Sequence, residues 1–172
     1  MGRKRISEEM KRDMDGIVYG YEYKNDIREL FTEYTDMLVE HDAAFKAYLN
    51  IQNYDDEIEH LEHKYGLPEG RLYLLGKDGK SAGCIALRKL DNERCEMKRL
   101  YIRPEYRGEK LGERLVRKII GDAREIGYKH MMLDTLPFLE SAIHMYKKLG
   151  FYETDCYNDS PMDTTIFMQL DL

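Results

Sequence analysis

The chain has 172 residues, of which 42% are hydrophobic and 35% charged, with a formal net charge of −6. That length supports one domain with a single sizeable core. No apolar run approaches the roughly 20 residues that span a bilayer, and the acidic balance argues against general nucleic-acid binding. Cys84, Cys95 and Cys156 stand at wide spacings and read as reduced thiols of a cytoplasmic protein, not as a disulfide frame or a zinc site.

Residues 1–16 are a polar N-terminal extension whose basic residues are followed by no apolar stretch, so they do not form a secretory leader. Residues 17–172 then read as one domain. Ile17 to Tyr23 alternates β-branched and aromatic residues as a first strand. Asp26 with Glu29 forms a capping-box pattern, and Leu30, Tyr34, Met37 and Leu38 carry the helical period to about Glu40. Residues 43–49 suggest a short helical turn and 54–65 a further helix, ended by the breaker cluster Gly66-Leu67-Pro68. Strands over 71–77 and 80–90 are joined by Asp78-Gly79, the strongest short-range hairpin signal.

A third strand follows from residue 94, so three strands are antiparallel neighbours. It breaks at Pro104, crosses the polar loop Arg107-Gly108-Glu109-Lys110 and enters a helix at about Leu111. A strand running into a glycine-containing turn at a helix N-terminus makes an anion site, because backbone N–H groups converge there and the helix dipole adds positive charge. From Lys98 to Lys118 eight basic residues face three acidic ones, which reads either as a solvated helix face or as an electropositive rim. The helix ends at Gly127. A short strand over 131–134, parallel to the strand from residue 94, a helix over 140–149 and two final strands, 151–157 and 164–170, complete a mixed α/β sheet. The final hairpin could pair between subunits as a homodimer.

Three segments resemble the GNAT superfamily of N-acetyltransferases, well over residues 70–172 and only in topology before that. Arg107-Gly108-Glu109-Lys110-Leu111-Gly112 resembles its pyrophosphate loop, Leu133-Asp134-Thr135 the strand beside pantetheine, and Ala142 to Phe151 its Ala-x-x-x-Tyr-x-x-x-Gly-Phe motif. Lys110 departs by replacing the first glycine of the loop, and Leu139 by replacing an asparagine.

The resemblance implies a GNAT-like, largely antiparallel sheet of about seven strands with about four helices, and acetyl-CoA as co-substrate without a metal. Acetyl would move by direct attack to the primary amine of a small or amino-acid-like acceptor. A protein amine, or a non-catalytic acyl-CoA sensor, are the alternatives. It implies that N–H groups from Gly108 through Glu109, Lys110, Leu111 and Gly112 to Glu113 cradle pyrophosphate, with Arg107 adding a side-chain contact. Leu100, Tyr101 and Ile102, with Asp134 and Thr135, would flank pantetheine. Tyr146 would be the general acid, since an ordinary phenol stays protonated at neutral pH; by helical spacing alone it is a core tyrosine. Glu96, expected on the strand face of Leu100 and Ile102, is a base, an ion-pair partner of a neighbouring Arg or Lys, or a group that binds a cationic substrate. Arg88 and Arg99 sit in strands, where a charged side chain must find water or a partner, and either could hold a substrate carboxylate. His60 and His63 lack a second ligand pair for a metal.

Overall fold

The computed structural model describes residues 14–172, so most of the expected N-terminal extension lies outside the described residues. Its last residues belong to the domain: Met14 is buried, and Asp15 bridges to Gly76. A Cβ on Gly76 would stand 1.9 Å from the Met14 carbonyl oxygen, so only glycine lets these backbones meet.

Seven strands make one sheet, β1 (Gly16–Tyr19), β2 (Arg71–Lys77), β3 (Lys80–Lys89), β4 (Arg94–Ile102), β5 (His130–Thr135), β6 (Tyr152–Glu153) and β7 (Ile166–Asp171). Their spatial order is β1-β2-β3-β4-β5-β7-β6. Every pairing is antiparallel except β4 with β5, whose connection passes through a helix. The helices are α1 (Lys24–His41), α2 (Phe45–Ile51), α3 (Tyr54–Glu59), α4 (Leu61–Tyr65), α5 (Leu111–Ile126) and α6 (Glu140–Lys148). The mixed α/β class, the strand count and the parallel step at β5 agree with expectation.

Both faces of the sheet are covered. On one, Leu115, Val116 and Ile119 of α5 pack with Ile85, Leu87, Met97 and Leu133. On the other, Ile27, Leu30 and Phe31 of α1 and Tyr65 of α4 pack with Leu72, Leu74 and Ala86. The Asp78-Gly79 turn has both residues at positive φ, 53° and 71°, as a two-residue hairpin requires.

Several elements depart from the sequence reading. The first strand stops at Tyr19, and Gly20–Glu22 is a 3₁₀ turn. Helix α1 starts two residues before Asp26, so no capping box forms; Asp26 instead lies in the first turn, where its charge suits the dipole. The helix expected over 54–65 is broken at His60, where φ is −132°. That break lets Glu57 of α3 and Leu61 and Tyr65 of α4 all turn inward. The strand expected over 151–157 shrinks to Tyr152–Glu153, because the chain beyond it leaves the sheet edge and brings Tyr157, Asn158 and Met162 toward β4 and β5.

The shared face of Glu96, Leu100 and Ile102 is also corrected. Glu96 pairs with Arg88 and Lys98 with Ala86, but Tyr101 pairs with Cys84, so β4 carries one extra residue around Arg99. Arg99 is left-handed, φ 58°. One inserted residue reverses the alternation: Glu96 and Lys98 share a face with Tyr101, and Leu100 and Ile102 lie on the other.

Candidate active site

β4 and β5 pair only through Arg94–His130, Cys95–Met131 and Glu96–Met132. Beyond that point they diverge, leaving the β5-facing backbone of residues 97–102 without a strand partner, with the bulge at Arg99 in the middle. Unpaired backbone groups inside a domain need partners, and a ligand entering the gap would supply them. The gap is lined from both layers. Tyr146 comes from α6, Tyr34 from α1, Tyr48 and Gln52 from α2 and just beyond it, and Lys98, Leu100, Asp134 and Thr135 from the diverging strands.

At the end of β4 the chain makes a 3₁₀ turn at Pro104–Tyr106 and reaches α5 through Gly108, φ 87°, and Lys110, φ 58°. Lys110 therefore adopts the left-handed conformation that its glycine counterpart in the family pattern would take freely. The Arg114 N–H donates to the Lys110 carbonyl at 3.2 Å, and the N–H groups before it have no turn behind them to bond. The acidic residues here are neutralised. Glu113 pairs with Lys148 at 2.9 Å and Arg117 at 3.4 Å, and Glu109 pairs with Lys77. A Cβ on Gly108 would meet nothing within 4 Å, and one on Gly112 only Ile102 at 3.7 Å, so there is open space beside both glycines. Arg107 folds back, its Nε donating to the Ile102 carbonyl at 3.1 Å, and its guanidinium lies 6.0 Å from the Tyr101 ring centroid. Together the loop fits a diphosphate.

Tyr146 is buried, and among the described residues its hydroxyl has no hydrogen-bond partner. Burial pushes its phenol well above the usual value, and Tyr34 and Asp134 push it the same way. It is therefore a fully protonated donor facing the gap. Tyr34, by burial, is itself raised to about 12.

Glu96 is 2% exposed and already engaged. Arg88 Nε donates to Oε1 at 2.9 Å, and the Tyr157 hydroxyl donates to Oε2 at 2.6 Å. It does not line the cleft itself. The ion-pair reading thus describes its surroundings. Arg99 is likewise committed: Nε donates to Glu57 Oε2 at 2.8 Å, and Nη2 to Glu57 Oε1 at 3.0 Å and to Gln52 at 2.8 Å. Arg88 and Arg99 therefore both have their partners inside the protein.

Sequence reasoning missed the opposite wall. Asp134 Oδ2 accepts from the Tyr48 hydroxyl and from Asn158 Nδ2, the latter at 2.7 Å. Asn158 also donates to the Tyr48 oxygen at 2.8 Å. Burial, then the Asp134 charge, drives the Tyr48 phenol upward, so it donates. This network joins positions 48, 134 and 158, and no local pattern links them. The aromatic residues of the first half divide: Phe31 is core, while Tyr34, Phe45 and Tyr48 line the cleft. His60 and His63 stack at 4.7 Å, and among the described residues no group of three or more His, Cys, Asp or Glu converges. No described helix is long and apolar enough to cross a membrane.

The family model for the acetyltransferase (GNAT) family matches residues 25–151. The chain is 42% identical over 140 residues to an uncharacterized N-acetyltransferase of Schizosaccharomyces pombe, covering 79% of this chain and 85% of that one. Its fold resembles an acetyltransferase of Streptococcus agalactiae, with TM-score 0.72 and 22% identity over 91% of this chain and 97% of the other. It also resembles a GNAT family acetyltransferase of Elizabethkingia anophelis solved with acetyl-CoA bound, with TM-score 0.53 and 23% identity over 66% and 82%. The chain belongs to the GNAT family of acetyltransferases.

Proposed function

We propose that the chain transfers acetyl from acetyl-CoA to the primary amine of a small, amino-acid-like acceptor by direct attack. The observation that carries this reading is the unpartnered Tyr146 hydroxyl beside the gap between β4 and β5. A similar fold has been solved with acetyl-CoA bound. Here the N–H groups from Gly108 to Glu113 would hold the pyrophosphate, and the stretch from Leu100 through Tyr101 to Ile102, on its edge away from β3, would face the pantetheine arm, with Thr135 across the gap. The Leu100 N–H, beside the bulge, would polarise the thioester carbonyl.

The acceptor must first lose its ammonium proton. We assign that step to Asp134, whose Oδ1 accepts no hydrogen bond from the described residues, while Glu96 is committed to Arg88 and Tyr157. The neutral amine attacks the carbonyl carbon, the C–S bond breaks, and the departing thiolate takes the Tyr146 proton. The proton lost by the attacking nitrogen returns to the phenolate through water, leaving an amide and a free thiol.

Thiol release with acetyl-CoA and an amine panel tests this. Tyr146→Phe is expected to lower kcat about 10²-fold, the lower end for a positioned acid, with acetyl-CoA affinity unchanged. If acetyl-CoA binds but no amine supports turnover, the fold serves as a sensor instead.

A further inference from the structure

The cleft holds a cation that the acetyl-transfer chemistry does not use. The Lys98 side chain is 8% exposed and lines the cleft between Met97 and Arg99. The only acidic group within ion-pair range among the described residues is Glu96 Oε1, at 3.7 Å, beyond hydrogen-bond distance. That carboxylate is already bound by Arg88 and Tyr157. An ammonium has three donors, and those of Lys98 make no hydrogen bond to the described residues. Arg99 next to it donates three. Burial acts against the Lys98 charge, as does Arg99 beside it, and Glu96, Asp134 and Glu57 offset these only in part. A buried ammonium left in this state costs stability that an anion in the cleft would recover.

Across the same cleft stands the complementary group. Asp134 spends Oδ2 on Tyr48 and Asn158 and keeps Oδ1 open. One cation and one anion with spare bonding capacity therefore face a single space. A simple alkylamine would satisfy only Asp134, and a polyamine would set its second cation against Lys98.

We infer that Lys98 is the specificity residue of the acceptor cleft, and that the acceptor carries a carboxylate on the same molecule as its amine. The amine lies toward Asp134 and the carboxylate accepts from the Lys98 ammonium. This rests on the acetyl-transfer reading above and names its substrate class. It also replaces Arg88 and Arg99 in the role of holding a substrate carboxylate.

The test uses matched pairs: L-amino acids, the amines left when each loses its carboxylate, and spermidine, with thiol release from acetyl-CoA as the readout. A charge-assisted hydrogen bond corresponds to roughly a 10- to 100-fold effect. The amino acid of a pair is therefore expected to exceed its amine by that factor in kcat/KM. Lys98→Met should bring the kcat/KM ratio between each amino acid and its amine toward one, mainly by raising KM for the amino acid. Binding of acetyl-CoA by the variant shows that it is folded, and the preference of the wild-type protein tests the inference without any variant. Equal turnover of both members of each pair, a preference for spermidine, or a Lys98→Met defect of the same size on both members would overturn this assignment while acetyl transfer stands. A panel in which no amine is acetylated overturns acetyl transfer and this inference with it.

Discussion

The two sides of the cleft are built by different means. The loop side is local and made of backbone: β4, a turn with two left-handed residues and the start of α5 follow one another between Arg94 and Glu113. The acceptor side is assembled from side chains far apart in sequence, with Tyr48 reaching Asp134 and Arg99 reaching Glu57, 86 and 42 positions away. A backbone site tolerates changes of side chain and fails when conformation or space is altered. A side-chain site fails when one partner is removed. On the proposed reading, the second wall could be altered by substitution without touching the first.

Breaking the second wall should have the largest effect. Glu57 is fully buried and holds Arg99 with two bonds and Lys64 at 3.0 Å. Removing one partner of a buried pair strands the other charge, at about 3–5 kcal/mol. Glu57→Ala should lose that much in urea unfolding and should distort the floor of the cleft through Arg99 and Gln52. Burial pushes the Glu57 carboxyl up, but Arg99, Lys64 and Lys98 outweigh it and hold the group at about 2, below its ordinary 4.5. A depressed carboxylate contributes stability that is complete above its unfolded value and is lost as pH falls through the folded one. Wild-type stability should therefore decline between about pH 4.5 and 2, and Glu57→Gln should flatten that part of the profile. A profile with the same slope in the variant would show that Glu57 is not held by its cations.

The same division governs what could be read in advance. Asp78-Gly79, Gly127 as a helix end and the run from Arg107 to Gly112 announce themselves because turn, cap and anion cradle each need a few residues at fixed spacing. Their positions agree with the structure. The need of Arg99 for a partner was legible from a charge inside a strand, but the partner was not, since nothing local points to Glu57. The bulge at Arg99 was invisible for a related reason. A single inserted residue in one strand leaves no mark in composition, yet it moves Glu96 off the face of Leu100. Asn158 was hidden by the expectation of a continuous strand over 151–157. Glu96, Lys98 and Arg99 inside one strand were the available hint that this segment faces something polar.

On the loop side, the larger effect should come from space. Gly112 lies in the first turn of α5 with only Ile102 near its absent side chain. Gly112→Val would put a branched side chain among the open N–H groups, so acetyl-CoA affinity should fall about tenfold or more, near 1.4 kcal/mol, while the folded state is kept. Isothermal titration measures it. Normal binding would show that these amides are not the cradle.

The smallest effect is the sharpest contrast with Glu57. Lys110 carries a charge beside the proposed diphosphate, but its backbone, at φ 58°, is what turns the chain into α5. A left-handed residue with a Cβ costs roughly 1–2 kcal/mol, which glycine avoids, although glycine also has more freedom to lose on folding. Lys110→Gly should therefore leave stability within about 1 kcal/mol and acetyl-CoA affinity within a few-fold, because the exposed ammonium is screened by water and salt. Lys110→Val is the control that keeps neither property: it removes the charge and, being β-branched, resists positive φ. If Lys110→Gly binds as poorly as Lys110→Val, the loop holds its ligand through the lysine side chain, and the contrast between a backbone wall and a side-chain wall fails at this position.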